Sequence, residues 1–167
     1  MSTLRVDSIR GQTADGTNRY VVQIKETSLS SDFTVNSTSE AEVLSLAITP
    51  QLSTNKVLVM AYFGMYLDGG ASTSRGDFVL KRDSTQIHTT DDGLGGFGFF
   101  REGSGHFKAN NNFLSIIDSP STTSSVTYKM FVDGHTLDSN GSLGAGITRL
   151  TLMEIAQCDL CGANKRS

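Results

Sequence analysis

The stretch that decides the fold is "NKVLVMAYFGMYLDGG", Asn55 to Gly70. From Val57 to Leu67 it is rich in β-branched and aromatic residues, and Gly69-Gly70 ends it. Val57 to Met60 is apolar at every position, a pattern a buried helix also shows. Val57, Val59, Tyr62 and Phe63 favour a strand, and so nearly continuous an apolar run suits one buried on both faces.

The same extended character recurs on either side. "GDFVLKRDSTQIHT" reads as a hairpin, with Phe78 and Leu80 one way, Val79 the other, and "RDST" as the turn. "SSVTYKMFVDG" alternates Val126, Tyr128 and Met130 against Thr127, Lys129 and Phe131. In "ITRLTLMEIA" Leu150 and Leu152 share one parity, while Ile147, Met153 and Ile155 share the other. Arg149 and Glu154 fall on opposite parities, so neither face is purely polar. That suits core on one side and a partner subunit on the other. "FLSII" is a short strand stopped by "DSPST", and "RYVVQIKET" is another extended stretch. "AEVLSLAITP" ends at Pro50, which lacks a ladder donor. A short helix competes there, because Ser39 and Glu42 fit a capping box. Residues 89–112 and "HTLDSNGSLGAG" read as long glycine-rich connections. Roughly eight short strands spaced by turns predict an all-β fold, an antiparallel β-sandwich of jelly-roll type. The expected division is an extended N-terminal arm over 1–19, a sandwich domain over 20–157, and a polar tail with a Cys pair over 158–167.

The chain of 167 residues has room for one real core. A net charge of −3 gives no basic field for nucleic acid or an anionic membrane. No long apolar run or signal-like N-terminus is present, so neither membrane insertion nor secretion is expected.

Few motifs carry chemistry. "GLGGFG", Gly93 to Gly98, matches G-x-G-x-x-G in form, but no strand precedes it and no helix follows, as dinucleotide binding needs. Cys158-x-x-Cys161 has only six residues after it, too few for the helix of a thioredoxin-like site. A zinc site needs about four ligands, and His88, His106 and His135 lack ligand spacing to one another. Free thiols, a disulfide or an inter-subunit staple remain open for the pair. Asp68, Asp77, Asp91, Asp92, Asp133 and Asp138 all lie in or beside turns, where aspartate fixes its own backbone. Neither G-x-S-x-G nor H-E-x-x-H occurs. The expectation is no catalytic residue, no metal and no cofactor.

Two stretches carry a family resemblance: the opening "MSTLRVDSIRGQTADGT" and the ending "SSVTYKMFVDG…GITRLTLMEIA". They resemble the start and final strands of fibre and virion adhesin head domains of tailed bacteriophages, particularly of marine and cyanobacterial phages. The resemblance covers the ends of the chain and not its middle, Asp68 to Asn112. It implies a homotrimeric sandwich on the virion (tail, neck or capsid surface), synthesised in the bacterial host cytoplasm and attaching to the host surface. The chain departs from that family in lacking a stalk and in its cysteine-bearing tail.

On that reading Leu4, Val6 and Ile9 of the arm, with Tyr62 and Tyr66, are inter-subunit or attachment candidates, and the arm holds other virion proteins. Loops on a rigid sandwich would contact a host polysaccharide or protein receptor. The contact candidates are Asp68, Arg75, Asp91, Asp92, Phe97, Phe99, Phe100, His106, Asp133, His135 and Asn140. Competing readings are a purely architectural protein (capsid decoration, or tail or neck connector), a carbohydrate-active enzyme with paired carboxylates, and a cellular β-sandwich binding module.

Overall fold

The decisive stretch forms β4, Lys56–Asp68, at the centre of the larger of two sheets in the computed structural model. The structure describes residues 20–29, 31, 33–35, 39–68, 75–89, 108–136 and 142–156. The other described strands are β1 (Val21–Ser28), β2 (Phe33–Val35), β3 (Ala41–Ile48), β5 (Arg75–Arg82), β6 (Thr85–Thr89), β7 (Lys108–Asp118), β8 (Val126–Thr136) and β9 (Ser142–Ile155). One sheet has the order β1-β9-β4-β7, with β2 also on β9; the other has the order β3-β8-β5-β6. Every described pairing is antiparallel.

This order is that of a jelly roll. The chain behaves as one long hairpin whose tip is the turn at Asp83 and Ser84. Away from the tip its arms pair in nested fashion: β5 with β6, β4 with β7, β3 with β8, β1 with β9. Rolling the hairpin sends successive pairs to alternate sheets, and β4·β9 and β5·β8 then join them side by side. Asp83 takes φ of 53°, a left-handed conformation that aspartate tolerates. Its amide donates to Thr127 O at 2.7 Å, and its Oδ1 accepts from Thr127 N at 2.9 Å, fixing the tip to β8.

Side-chain alternation fills the space between the sheets. Val57, Val59, Ala61 and Phe63 of β4 and Leu150 and Leu152 of β9 are buried against Phe78 and Leu80 of β5 and Val126, Tyr128, Met130 and Val132 of β8. Phe63 stacks on Phe78 across the gap, with centroids 4.1 Å apart. Burying a large apolar side chain contributes about 1.5–3 kcal/mol, so this double layer is the main source of stability.

Several expectations are corrected. Ala41–Ile48 is a strand and not a helix: its apolar positions face β8 and the core, so tertiary pairing overrides the capping pattern. The connection expected over 89–112 is cut short, because β7 begins at Lys108; Asn110, Asn111 and Asn112 are held in register opposite Met65, Gly64 and Phe63. Likewise β9 begins at Ser142 and β8 runs on to Thr136, so both strands extend into the loop expected between them. Finally, β4 is buried on one face only. Leu58, Met60 and Tyr62 are half-exposed on the outer side of the sheet.

Candidate functional site

Two polar clusters and one apolar face stand out. The first cluster sits at the sheet end where β9 finishes. Glu154 follows the parity of Leu150 and Leu152 and is therefore drawn inside, where it is 0% exposed. Its Oε2 accepts from Gln23 Nε2 at 2.6 Å, and its Oε1 accepts from Gln51 N at 2.7 Å and Asn55 Nδ2 at 2.5 Å. Burial pushes this carboxyl's pKa up. The hydrogen bonds from Asn55, Gln23 and the Gln51 and Leu52 amides outweigh that and hold it below the ordinary carboxylate value. The arrangement pins the β3–β4 turn to β1 and β9. The carboxylate's partners among the described residues are all donors, so it has the character of a clamp and not of an acid–base group.

The second cluster bridges the sheets at the same end. Asp118, last in β7, accepts from Arg82 of β5 at 2.6 Å and from the Tyr128 hydroxyl of β8 at 2.7 Å. Burial, reinforced by Asp118, raises the Tyr128 phenol far above its usual range. It therefore stays a neutral donor to the carboxylate.

The apolar face is the outer side of the β1-β9-β4-β7 sheet. Register aligns Ile24, Met153, Leu58 and Ile117 in one row across all four strands. A second row holds Glu26, Thr151, Met60 and Ser115, and a third holds Ser28, Arg149, Tyr62 and Phe113. Phe113 is 66% exposed, Ile117 62% and Ile24 58%. The outer side of the other sheet is different in kind. There Lys81 pairs with Glu40 and lies 4.7 Å over the Phe131 ring, and Lys129 pairs with Glu42 at 3.1 Å. That face is dressed for water.

Of the residues singled out from sequence, Tyr62 is half-exposed in the centre of the apolar face. Asp68, Arg75, Asp133, His135 and Tyr66 are described by backbone position alone, within strands. Pairing of Asp68 with Ser142, Leu67 with Lys108 and Arg75 with Thr136 brings these strand ends to one end of the sandwich, opposite both clusters. Leu4, Val6, Ile9, Asp91, Asp92, Phe97, Phe99, Phe100, His106 and Asn140 lie outside the described residues, as do Gly93 to Gly98, Cys158 and Cys161. Glu154, Asp118, Arg82 and Phe113 were not singled out. The parity of Glu154 with Leu150 and Leu152 was a usable signal; no sequence pattern marks the Asp118 bridge.

Among the described residues no group of three His, Cys, Asp or Glu side chains could hold a metal ion. The intersheet space leaves a cavity of about 10 Å³ beside Phe63, Phe78, Met130 and Thr148, too small for an organic ligand.

Fold and surface thus define a jelly-roll domain with one open apolar sheet face. No family model matches the chain, and no curated protein matches it. Among solved structures it is similar to the infectious bursal disease virus VP2 subviral particle, with TM-score 0.35 and 11% identity over 81% of this chain and 37% of that one. A structure of the Gx strain of that virus gives TM-score 0.33 and 10% identity, over 93% and 42% respectively. The chain spans less than half of either, and likeness at this level carries no function across. It does correct the resemblance drawn from the chain ends. The matched structures are virus-particle proteins and not tailed-bacteriophage fibres, and short motifs such as "SSVTYKMFVDG" belong to any alternating strand. The expected host-attachment role and synthesis in a bacterial host fall with that resemblance.

Proposed function

We propose that the chain is a non-enzymatic, architectural virus-capsid protein, a jelly roll that builds or decorates a particle shell by packing against further copies of itself. The observation that carries this reading is the nested strand order β1-β9-β4-β7 over β3-β8-β5-β6. That architecture is shared by capsid, lectin and cupin domains. The cupin type keeps an interior metal or ligand site, whereas among the described residues the interior is packed with apolar side chains. Homo-oligomers belong to the reading. A three-fold assembly, which only the resemblance at the chain ends implied, and the two-fold contact developed below would use different surfaces, as the several contacts of a closed shell do. The test is composition of particles: those purified from cells producing the chain should contain it at a copy number comparable with the major shell protein, and antibody should label their surface or wall. Its absence from such particles would overturn the reading.

A further inference from the structure

We infer that the outer face of the β1-β9-β4-β7 sheet is a docking surface for a second copy of this chain, packed sheet against sheet. The inference deepens the shell reading and rests on it for the presence of many copies. The face differs from an ordinary sheet surface in composition and in order. Its central positions are Met153, Leu58, Met60 and Tyr62, flanked by Ile24 on one edge strand and Phe113 and Ile117 on the other. Methionine and aromatic side chains, with arginine as the one full charge on the described central outer positions (Arg149), are residue types enriched in interface cores.

The full charges at described outer positions are engaged with neighbours: Glu26 lies on the edge strand β1, Lys56 at the start of β4, and Arg149 on β9 beside Tyr62. Glu26 accepts from Thr151 at 3.2 Å and pairs with Arg149 at 3.7 Å, while Lys56 donates to Ser119 at 2.6 Å. Self-pairing matters because two-fold packing presents the same patch to itself, and a central unpaired charge would meet its own copy. The opposite outer face, with Lys81, Glu40, Lys129 and Glu42, shows how the same fold treats a surface kept in water.

Area also points to a second copy. At roughly 150–200 Å² per large side chain, Phe113, Ile117 and Ile24 expose about 300 Å² together. The half-buried Leu58, Met60, Tyr62, Met153 and Ile155 bring the patch to about 500 Å², at the upper end of what a monomer leaves open. Two such faces bury about 1,000 Å², the threshold for a specific protein interface. Aligned sheet packing at ~10 Å needs no backbone change in either copy.

The test uses the full chain, with Phe113→Lys/Ile117→Lys on the face and Ala47→Lys on the charged sheet as control. Solution mass is measured by light scattering across micromolar to submillimolar concentration. Peroxide oxidation of Met60 and Met153 is read residue by residue, and urea unfolding checks that each variant is folded. The expected result is a wild-type dimer or larger assembly in which both methionines oxidise several-fold more slowly than in the monomeric double variant. The control should match wild type. An assembly that survives the double variant, with Met60 and Met153 reactive throughout, overturns the inference and leaves the shell reading to the particle test. A full chain monomeric at every concentration overturns it too. Protected methionines in that monomer would identify another segment of the same chain as the occupant.

Discussion

Replacing Glu154 by glutamine should destabilise the fold by about 3 kcal/mol at neutral pH, and the loss should shrink in acid. The size follows from the three contacts. Hydrogen bonds to a charged acceptor contribute about 1.5–3 kcal/mol each and neutral ones about 0.5–1.5 kcal/mol. A glutamine oxygen in the Oε1 place keeps the bonds from Gln51 N and Asn55 Nδ2 as neutral ones, at a loss of about 1 kcal/mol each. Its amide nitrogen in the Oε2 place meets Gln23 Nε2 donor to donor, for about 1 kcal/mol more. Gln23 cannot simply turn round, since the same nitrogen also donates to Thr49 O at 2.8 Å. The pH dependence follows from the depressed carboxyl pKa. The ionised group stabilises the fold fully above its ordinary value of 4.5, and this contribution is lost as pH falls through the lower folded-state pKa. Wild type should therefore lose stability over that acid range while the variant loses less. Urea unfolding followed by circular dichroism, at fixed protein concentration from about pH 7 to about pH 2, measures both. A loss under about 1 kcal/mol at neutral pH, or a difference that ignores pH, would refute the clamp.

Other changes test the remaining features. Tyr128→Phe removes one bond to Asp118 and leaves Arg82 in place, so a loss of about 1–2 kcal/mol in urea unfolding is expected. Thr148 Oγ1 is buried without a hydrogen-bond partner among the described residues, so Thr148→Val should stabilise by about 1 kcal/mol, read as a higher urea midpoint at unchanged slope. Val59→Ala, fully inside the core, should cost about 2–3 kcal/mol in the same assay. Breaking the half-exposed Lys129–Glu42 pair with Lys129→Ala should change stability by less than about 1 kcal/mol.

Much of the architecture was legible in the chain. The alternation of Val126, Tyr128 and Met130 against Thr127, Lys129 and Phe131 is the alternation found between core and outer face. The hairpin around Asp83 was readable from β-forming residues on both sides of a turn sequence. Strand lengths were not, because Asn110 to Asn112 are extended through pairing with β4, and Ser142 to Ala145 through pairing with β4 and β2. The site was less legible still. Glu154 and Asn55 are 99 positions apart, and Arg82 and Asp118 are 36 apart, so no local pattern could join them. By itself the sequence determined an all-β chain with apolar residues on both sides of its central strand, since period-two patterning acts within a single strand. Which of those sides becomes core, and that the other is left as a continuous band from Ile24 to Ile117, only the tertiary structure decided, because a band across four strands exists only once they are in register.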